Sequence, residues 1–122
     1  MQTNKPANLI VDLSFSFALD IIVFAEILYG MKKFIIANQI LKCGTSIGAN
    51  VREAQNAESK ADFIHKFKLA AKEADEVHYW LLLCQTSDTY PGCPALISKS
   101  VQIAKVLSKI ISTTKHSGKS EK

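Results

Sequence analysis

The sequence predicts a single all-α domain, folded as an antiparallel up-down-up-down four-helix bundle. In four long stretches, apolar residues recur three or four positions apart, as they do along one face of an α-helix. The connections between these stretches are short, and no segment shows the alternating pattern of a strand. At 122 residues and 48% hydrophobic content, the chain can bury one substantial core. We expect residues 1–122 to form one domain, with flexible polar ends at about 1–7 and 114–122.

The first predicted helix is apolar on more than one side. One stripe consists of Leu9, Leu13, Phe17, Ile21, Phe24 and Leu28, and a neighbouring stripe of Val11, Phe15, Ala18, Ile22, Ala25 and Tyr29. A single neighbouring helix cannot cover both stripes, so we expect this helix at the centre of the core or at a subunit interface. Gly30 is the expected C-terminal cap.

Three carboxylates interrupt this apolar stretch, namely Asp12, Asp20 and Glu26. A carboxylate at the middle of a bilayer costs about 2.5–3.5 kcal/mol. The first helix is therefore expected to be soluble, and we expect no membrane partner.

The second helix is expected to run from about Lys32 to Asn56, straight through two glycines. Its apolar stripe keeps helical spacing across Gly44 and Gly48. Each glycine inside a helix costs about 0.5–1 kcal/mol relative to alanine, so two of them four apart indicate a face that another backbone approaches closely. The alternative is a local break at Cys43 and Gly44 that divides the helix in two.

The third helix has the most regular pattern. Its seam consists of Phe63, Phe67, Ala70, Ala74, Val77, Leu81 and Cys84, which alternate spacings of four and three, as in left-handed helix packing. Ser59 and Asp62 have the spacing of a capping box at its start. A fourth helix carries Leu96, Ser100, Ile103, Leu107 and Ile110 on one stripe, and we expect it to end near Thr113.

Positive charge is concentrated in the second and last parts of the chain. The formal net charge is +4, which suits an anionic partner such as nucleic acid or an acidic membrane surface. Residues 31–57 carry four basic residues against one acidic, and residues 91–122 carry six against one. The predicted nucleic-acid-binding residues are Lys32, Lys33, Lys42, Arg52, Lys99, Lys105, Lys109 and Lys115.

The sequence contains no pattern typical of an enzyme. Cys43, Cys84 and Cys93 have neither the spacing of a zinc site nor that of a disulfide framework, which favours a reducing cytoplasm. Cys43 lies on an apolar stripe, so we interpret it as a core residue rather than a nucleophile. Nothing resembles a catalytic triad, a phosphate loop or a Rossmann turn. We expect no enzymatic activity and no cofactor.

Two short pairs have the spacing of metal ligands. Asp62 and His65, like Asp75 and His78, are three residues apart and share a helical face. Di-iron bundles take Glu-x-x-His pairs from two different helices, whereas both pairs here fall on one helix. We therefore expect solvated or hydrogen-bonded side chains rather than a metal site.

Residues 44–81 hold the least ordinary residue choices. The segment reads GTSIGANVREA from Gly44 to Ala54, followed by Ser59, Asp62-Phe63, Lys66, Lys72-Glu73-Ala74 and Tyr79-Trp80-Leu81. This pattern closely resembles the four-helix-bundle family named after open reading frames in the intervening sequences of bacterial 23S rRNA genes. The resemblance implies a left-handed antiparallel bundle that assembles into a ring-like homopentamer. A related protein, the accessory variability protein of diversity-generating retroelements, forms a similar basic pentamer that binds nucleic acid and a reverse transcriptase, which is an analogy of fold.

The resemblance marks a set of motif residues as structural or interface residues: Gly44, Ser46, Gly48, Asn50, Arg52, Glu53, Asp62, Glu73 and Trp80. Ser46 and Asn50 share a helical face, as do Asn50 and Glu53. They form either a binding site or a buried polar network that fixes helix register or subunit packing, and we favour the network. Arg52 is free to pair with a carboxylate of the third helix, with Glu73 and Glu76 as the natural candidates.

These observations favour a non-enzymatic, oligomeric protein of the bacterial cytoplasm. We expect it to bind nucleic acid, structured RNA above all, through lysines that assembly brings together. Five copies would carry 5 × 4 = +20 charges, enough to attract a phosphate backbone. Aromatic residues do not alternate with the lysines, so base stacking is not indicated. The alternative is a protein–protein interaction scaffold with an unidentified partner and no role in nucleic-acid binding.

Overall fold

The protein is an all-α bundle of four helices, as the sequence predicts. The computed structural model describes residues 6–120, with the side chains of residues 9–117. The helices are α1 (Pro6–Gly30), α2 (Phe34–Ala54), α3 (Lys60–Thr86) and α4 (Pro94–Ser120), and the described part of the chain contains no strand. Helix α1 packs against α2 and α4, and α3 packs against the same two helices.

The core lies where the apolar stripes of the four helices meet. The predicted α3 seam is buried from Phe67 to Cys84. Phe63 at its start is half-buried and stacks on Phe67, with ring centroids 4.6 Å apart. Ala70 and Ala74 are buried on the same seam, where their small side chains let the neighbouring helices approach closely.

Helix α1 buries one stripe and leaves a broad apolar face in solvent. Phe17, Ile21 and Leu28 are fully buried. The predicted first member of this stripe, Leu9, is exposed, and Ile10 is buried in its place. We call the exposed set the α1 outer face; it consists of Phe15, Leu19, Ile22, Val23 and Ile27, whose exposed fractions range from 39% to 59%. None of the described helices combines the length and the apolar character needed to cross a membrane.

Helix α2 is continuous through both glycines, so the alternative of a break at Cys43 is wrong. Both glycines face α1. A Cβ atom at Gly44 would lie 2.8 Å from Cγ1 of Ile21, and one at Gly48 would lie 3.4 Å from the backbone oxygen of Ser14. The close-approach interpretation of the glycines is therefore confirmed.

Helix ends follow the sequence signals at some positions and depart from them at others. The Ser59 hydroxyl accepts a hydrogen bond from the Asp62 N–H at 3.0 Å, which confirms the predicted N-terminal cap of α3. Helix α4 continues beyond Thr113, where the apolar pattern predicts an end, to Ser120. The expectations about flexible ends fall partly on residues 1–5 and 121–122, which lie outside the described residues.

The turn between α1 and α2 differs from the sequence prediction. Gly30 ends α1, but its φ is not positive, and Lys32 instead has the left-handed φ of 63°. The Lys33 N–H donates to the Leu28 carbonyl at 2.8 Å and the Lys32 N–H donates to the Tyr29 carbonyl at 2.9 Å. These two bonds form a Schellman motif whose left-handed position is a lysine rather than a glycine.

Replacing Lys32 with glycine is expected to raise the free energy of unfolding by about 0.5–1 kcal/mol. The left-handed conformation strains a residue that carries a Cβ atom, and glycine removes this strain. Lys32→Ala is the matched control, since it removes the charge but keeps the Cβ atom. Urea denaturation of the three proteins measures the difference, and equal stabilities would contradict the expected strain.

Candidate nucleic-acid interface

The predicted basic residues do not form one continuous surface. They lie at the α1–α2 turn, along α2 and along α4. The ammonium of Lys99 on α4 forms an ion pair with Asp20 on α1. The Lys33 ammonium lies over the Tyr90 ring, 4.7 Å from its centroid. These two cations already have partners within the chain, so they are poor candidates for phosphate contacts.

The other predicted cations separate into two regions. Lys32, Lys42 and Arg52 are exposed at the α1–α2 turn and along α2. Lys105, Lys109 and Lys115 are exposed along α4, a helix whose sequence contains no Asp or Glu. The α4 lysines therefore form the stronger positive surface.

Two exposed lysines on α3, which the sequence analysis missed, belong to the helix that packs against α4. Lys68 and Lys72 are exposed and four residues apart, so they share one face of α3. Residues 58–90 have a net charge of 4 − 6 = −2, so a count of charge by segment does not indicate these two lysines as a binding site. Because both lie on the exposed side of α3, away from its apolar seam, no local pattern distinguishes them from other solvated lysines.

The contacts between α3 and α4 indicate how the two sets of lysines align. His78 contacts Ser100, and Gln85 contacts Cys93, so lower numbers on α3 meet higher numbers on α4. At 1.5 Å per residue, Lys72 lies about 9 Å along α3 from His78. Lys105 lies about 7.5 Å along α4 from Ser100 in the same direction.

By the same measure Lys68 lies level with Lys109, at roughly 14 Å from the His78–Ser100 contact. Lys115 lies further along α4 in the same direction. We call these five residues, Lys68, Lys72, Lys105, Lys109 and Lys115, the α3–α4 basic face. Within residues 9–117, none of their ammonium groups forms an ion pair.

The carboxylates of α3 offset only part of the positive charge of the α3–α4 basic face. Glu76 and Glu73 face α2, where their charges add to burial in raising the pKa of the Cys43 thiol to about 12. The Asp62 carboxylate accepts a hydrogen bond from the Glu58 N–H at 3.4 Å, just before α3 begins. The exposed carboxylates of Asp75 and Glu76, three and four residues after Lys72, add two negative charges beside it, against five lysines. The α3–α4 basic face therefore keeps a positive surplus.

The polar motif residues of α2 bond mostly within their own helix. The Ser46 hydroxyl donates to the Lys42 carbonyl at 2.7 Å, and Asn50 Nδ2 donates to the Ser46 carbonyl at 3.0 Å. Both side chains are half-buried, so the predicted buried network is not formed in the described protomer. Their positions leave one polar edge of α2 open to solvent.

The expected ion pair of Arg52 is also absent among the described residues. Arg52 is exposed, and it is the neighbouring Glu53 that reaches α3, where its carboxylate accepts a hydrogen bond from Lys66 at 2.8 Å. This bond raises the pKa of Lys66. Trp80 Nε1 is buried without a hydrogen-bond partner in the described part of the chain.

The cysteines have the character of core residues. Burial raises the pKa of Cys84 to about 11 and also raises that of Cys93, so neither thiol is ionised at neutral pH. Cys43 donates from Sγ to the Gln39 carbonyl. The interpretation of Cys43 as a core residue agrees with its burial.

The two Asp–His pairs do not form a metal centre with other ligands. Within the described residues, no group of three or more His, Cys, Asp or Glu side chains could hold a metal ion. The Ser100 hydroxyl donates to the Ile97 carbonyl at 2.7 Å and therefore accepts from His78 Nδ1, 3.0 Å away. This arrangement links α3 to α4.

Comparison with known proteins places the chain in a family. Residues 7–116 match the family described as 23S rRNA-intervening sequence protein. The chain belongs to this family. The match covers all four helices except the first residue of α1 and the last residues of α4, so the resemblance noted at residues 44–81 extends across the bundle.

A relative of the 23S rRNA-intervening sequence family has a crystal structure. It is a protein with unknown function from the S23 ribosomal protein family of Bacteroides thetaiotaomicron. The two chains are 42% identical and superpose with a TM-score of 0.82, over 88% of this chain and 99% of that one. No protein with a curated description matches this chain. The fold and the family are thereby established.

Proposed function

We propose that the protein is a non-enzymatic, oligomeric helical bundle that binds nucleic acid, structured RNA in particular, through the α3–α4 basic face. The observation that carries this proposal is the set of five exposed lysines, unpaired within the described residues, on two adjacent helices. Lysines held on rigid helices contact phosphates without ordering a loop, which suits a ligand recognised by its backbone.

Assembly would multiply this surface. We propose an up-down-up-down arrangement of the helices, supported by the pairing of Tyr29 with Asn38 near one end of α1 and of Ser14 with Gly48 towards the other. We propose further that copies associate through the α1 outer face into a ring-like homo-oligomer, with five subunits as the family resemblance implies. A pentamer would gather 5 × 4 = +20 formal charges in the bacterial cytoplasm.

The binding is expected to be only weakly sequence-specific. Among the described residues of α3, Tyr79 is the exposed aromatic side chain that lies nearest in sequence to Lys72. On α4, no aromatic residue alternates with the lysines. Base stacking therefore contributes little, and phosphate contacts supply most of the affinity.

Reversing two lysines of the α3–α4 basic face tests the proposal. We expect Lys72→Glu/Lys105→Glu to weaken binding to a labelled structured RNA at least tenfold, and to lower the salt slope by about two, because each lysine contributes about one unit. The measurement is fluorescence anisotropy across a salt series, with the mass determined by light scattering.

A matched control separates local contacts from overall charge. Lys42→Glu/Arg52→Glu changes the net charge equally, at two exposed positions of α2, a helix that does not pack against α4 within the described residues. We expect this control to retain most of the affinity. Equal losses in both variants would contradict a localised site. Unchanged affinity in the first variant would favour the protein-interaction scaffold.

A further inference from the structure

The turn between α1 and α2 carries an unusual group of exposed apolar side chains. We call residues 31–35 the α1–α2 tip, with the sequence Met-Lys-Lys-Phe-Ile. Ile35 is 78% exposed, more than any other large hydrophobic residue in the described part of the chain, while Phe34 is 50% and Met31 43% exposed. Phe34 and Ile35 line a shallow pocket of about 220 Å³ at this end of the bundle, together with Lys32, Lys33 and Tyr90. Their apolar surface has no cover within the protomer.

The backbone holds the α1–α2 tip in a fixed conformation. Lys32 has a left-handed φ of 63°, fixed by the two Schellman hydrogen bonds described above. The Phe34 ring lies 5.8 Å from the Tyr29 ring, and the Tyr29 hydroxyl bonds to Asn38 on α2. Because these contacts restrain the turn from both sides, Phe34 and Ile35 are presented to solvent on a rigid frame.

Cations flank the apolar side chains. Lys32 is exposed, and the Lys33 ammonium lies over the Tyr90 ring at the same end of the bundle. The nearest carboxylates along the chain are Glu26 on α1 and Glu53 near the end of α2, and the α3–α4 connection adds Asp88, two residues from Tyr90. An apolar point with lysines and tyrosines around it has the composition that favours the interface of a membrane with anionic lipids.

We propose that the α1–α2 tip docks on an anionic lipid surface, with Phe34 and Ile35 entering the boundary between headgroups and acyl chains and Lys32 contacting lipid phosphates. A projecting apolar point fits a deformable bilayer better than a protein surface, which would need a matching cavity. The positive charge beside it complements the anionic headgroups. The docking is peripheral, and it revises the expectation of no membrane partner, which was based on the carboxylates of α1.

Oligomerisation would strengthen this docking without being required for it. One tip buries only two or three side chains and binds weakly, whereas several tips on one side of a ring bind together and gain avidity. The affinity of the lipid contact therefore depends on the proposed oligomer, whereas the contact itself does not. The α3–α4 basic face is separate from the tip in sequence, so the two proposals can fail independently.

Sedimentation with lipid vesicles tests the proposal. The full chain is mixed with vesicles of phosphatidylglycerol and phosphatidylcholine, and with pure phosphatidylcholine vesicles as the neutral reference. We expect partitioning into the anionic vesicles only. Phe34→Ser/Ile35→Ser should lower the partition coefficient by at least about tenfold, since most of the inserted apolar area is lost. Lys32→Gln should lower it about fivefold through loss of one phosphate contact.

Tyr79→Ser is the control, because Tyr79 is 56% exposed on α3, outside the tip. We expect it to partition as the unmodified chain does. RNA affinity and solution mass are measured for every variant, and Phe34→Ser/Ile35→Ser should change neither. Absence of vesicle binding overturns the proposal, as does equal partitioning of the unmodified chain and the tip variant. A fall in mass caused by Phe34→Ser/Ile35→Ser also overturns it, since the tip would then contact a second copy.

Discussion

Replacing Gly44 with alanine is expected to lower the free energy of unfolding by about 1–3 kcal/mol, although alanine is the better helix former. The new Cβ atom would lie 2.8 Å from Cγ1 and 2.9 Å from Cγ2 of Ile21, which is fully buried. Both atoms are at the branch of a stiff β-branched side chain, so Ile21 cannot move away without a change in rotamer or a shift of α1. Chemical denaturation measures the loss.

Two further variants make this prediction specific. Gly48→Ala should be neutral or slightly stabilising, because its Cβ atom would meet Ser14 at an ordinary contact distance of 3.4 Å. In an Ile21→Ala background, Gly44→Ala should cost less than in the unmodified chain, because the clashing atoms are gone. Equal effects of the two glycine substitutions would contradict the packing account of this motif.

Placing lysines on the α1 outer face is expected to dissociate the proposed oligomer. Leu19 and Val23 are 52% and 59% exposed in the protomer, so Leu19→Lys/Val23→Lys should leave the fold intact. At a subunit interface the same lysines would be desolvated without partners, a cost of several kcal/mol in each contact. Light scattering should give a multiple of 13.4 kDa for the unmodified chain and 13.4 kDa for the variant.

Ile35→Lys is the matched control for this change. Ile35 is even more exposed but lies at the α1–α2 tip, so its substitution should leave the mass unchanged. Circular dichroism should show equal helicity for all three proteins. An unmodified chain that is monomeric, or a Leu19→Lys/Val23→Lys variant that keeps the oligomer mass, would contradict the assignment of the α1 outer face as the subunit interface.

The sequence was sufficient to predict the features that depend on local pattern. Helical spacing on either side of Gly44 predicts the continuous α2, and the spacing of Ser59 and Asp62 predicts the cap of α3. Two glycines four residues apart predict a close helix contact, although their partners on α1 are visible only in the structure. These features depend on residues within a few turns of one another, which is why periodicity suffices.

Features that depend on how side chains meet across helices were harder to predict. The pairing of Glu53 with Lys66 depends on the register of α2 against α3. That register leaves Glu73 and Glu76, the partners proposed for Arg52, roughly 10 and 15 Å along α3 from Lys66. The left-handed residue at Lys32 was unexpected because glycine is the usual residue at that position and Gly30 was available nearby.

The candidate site was only partly predictable for the same reason. A tally of charge by segment identifies the lysines of α4 but not Lys68 and Lys72, which lie on a helix with a negative total. Their relevance depends on the packing of α3 beside α4, as the His78–Ser100 contact indicates. The packing of α4 against α1 pairs Lys99 with Asp20, which no local pattern reveals.

The affinity of the unmodified protein for a labelled structured RNA, measured at about 50 and about 200 mM salt with the mass followed by light scattering, tests the central claim most directly. An oligomer that uses six or more lysines should lose roughly a thousandfold or more in affinity between these conditions while its mass stays constant. An intact oligomer that does not bind RNA, or binds it with little dependence on salt, would contradict an electrostatic nucleic-acid interface.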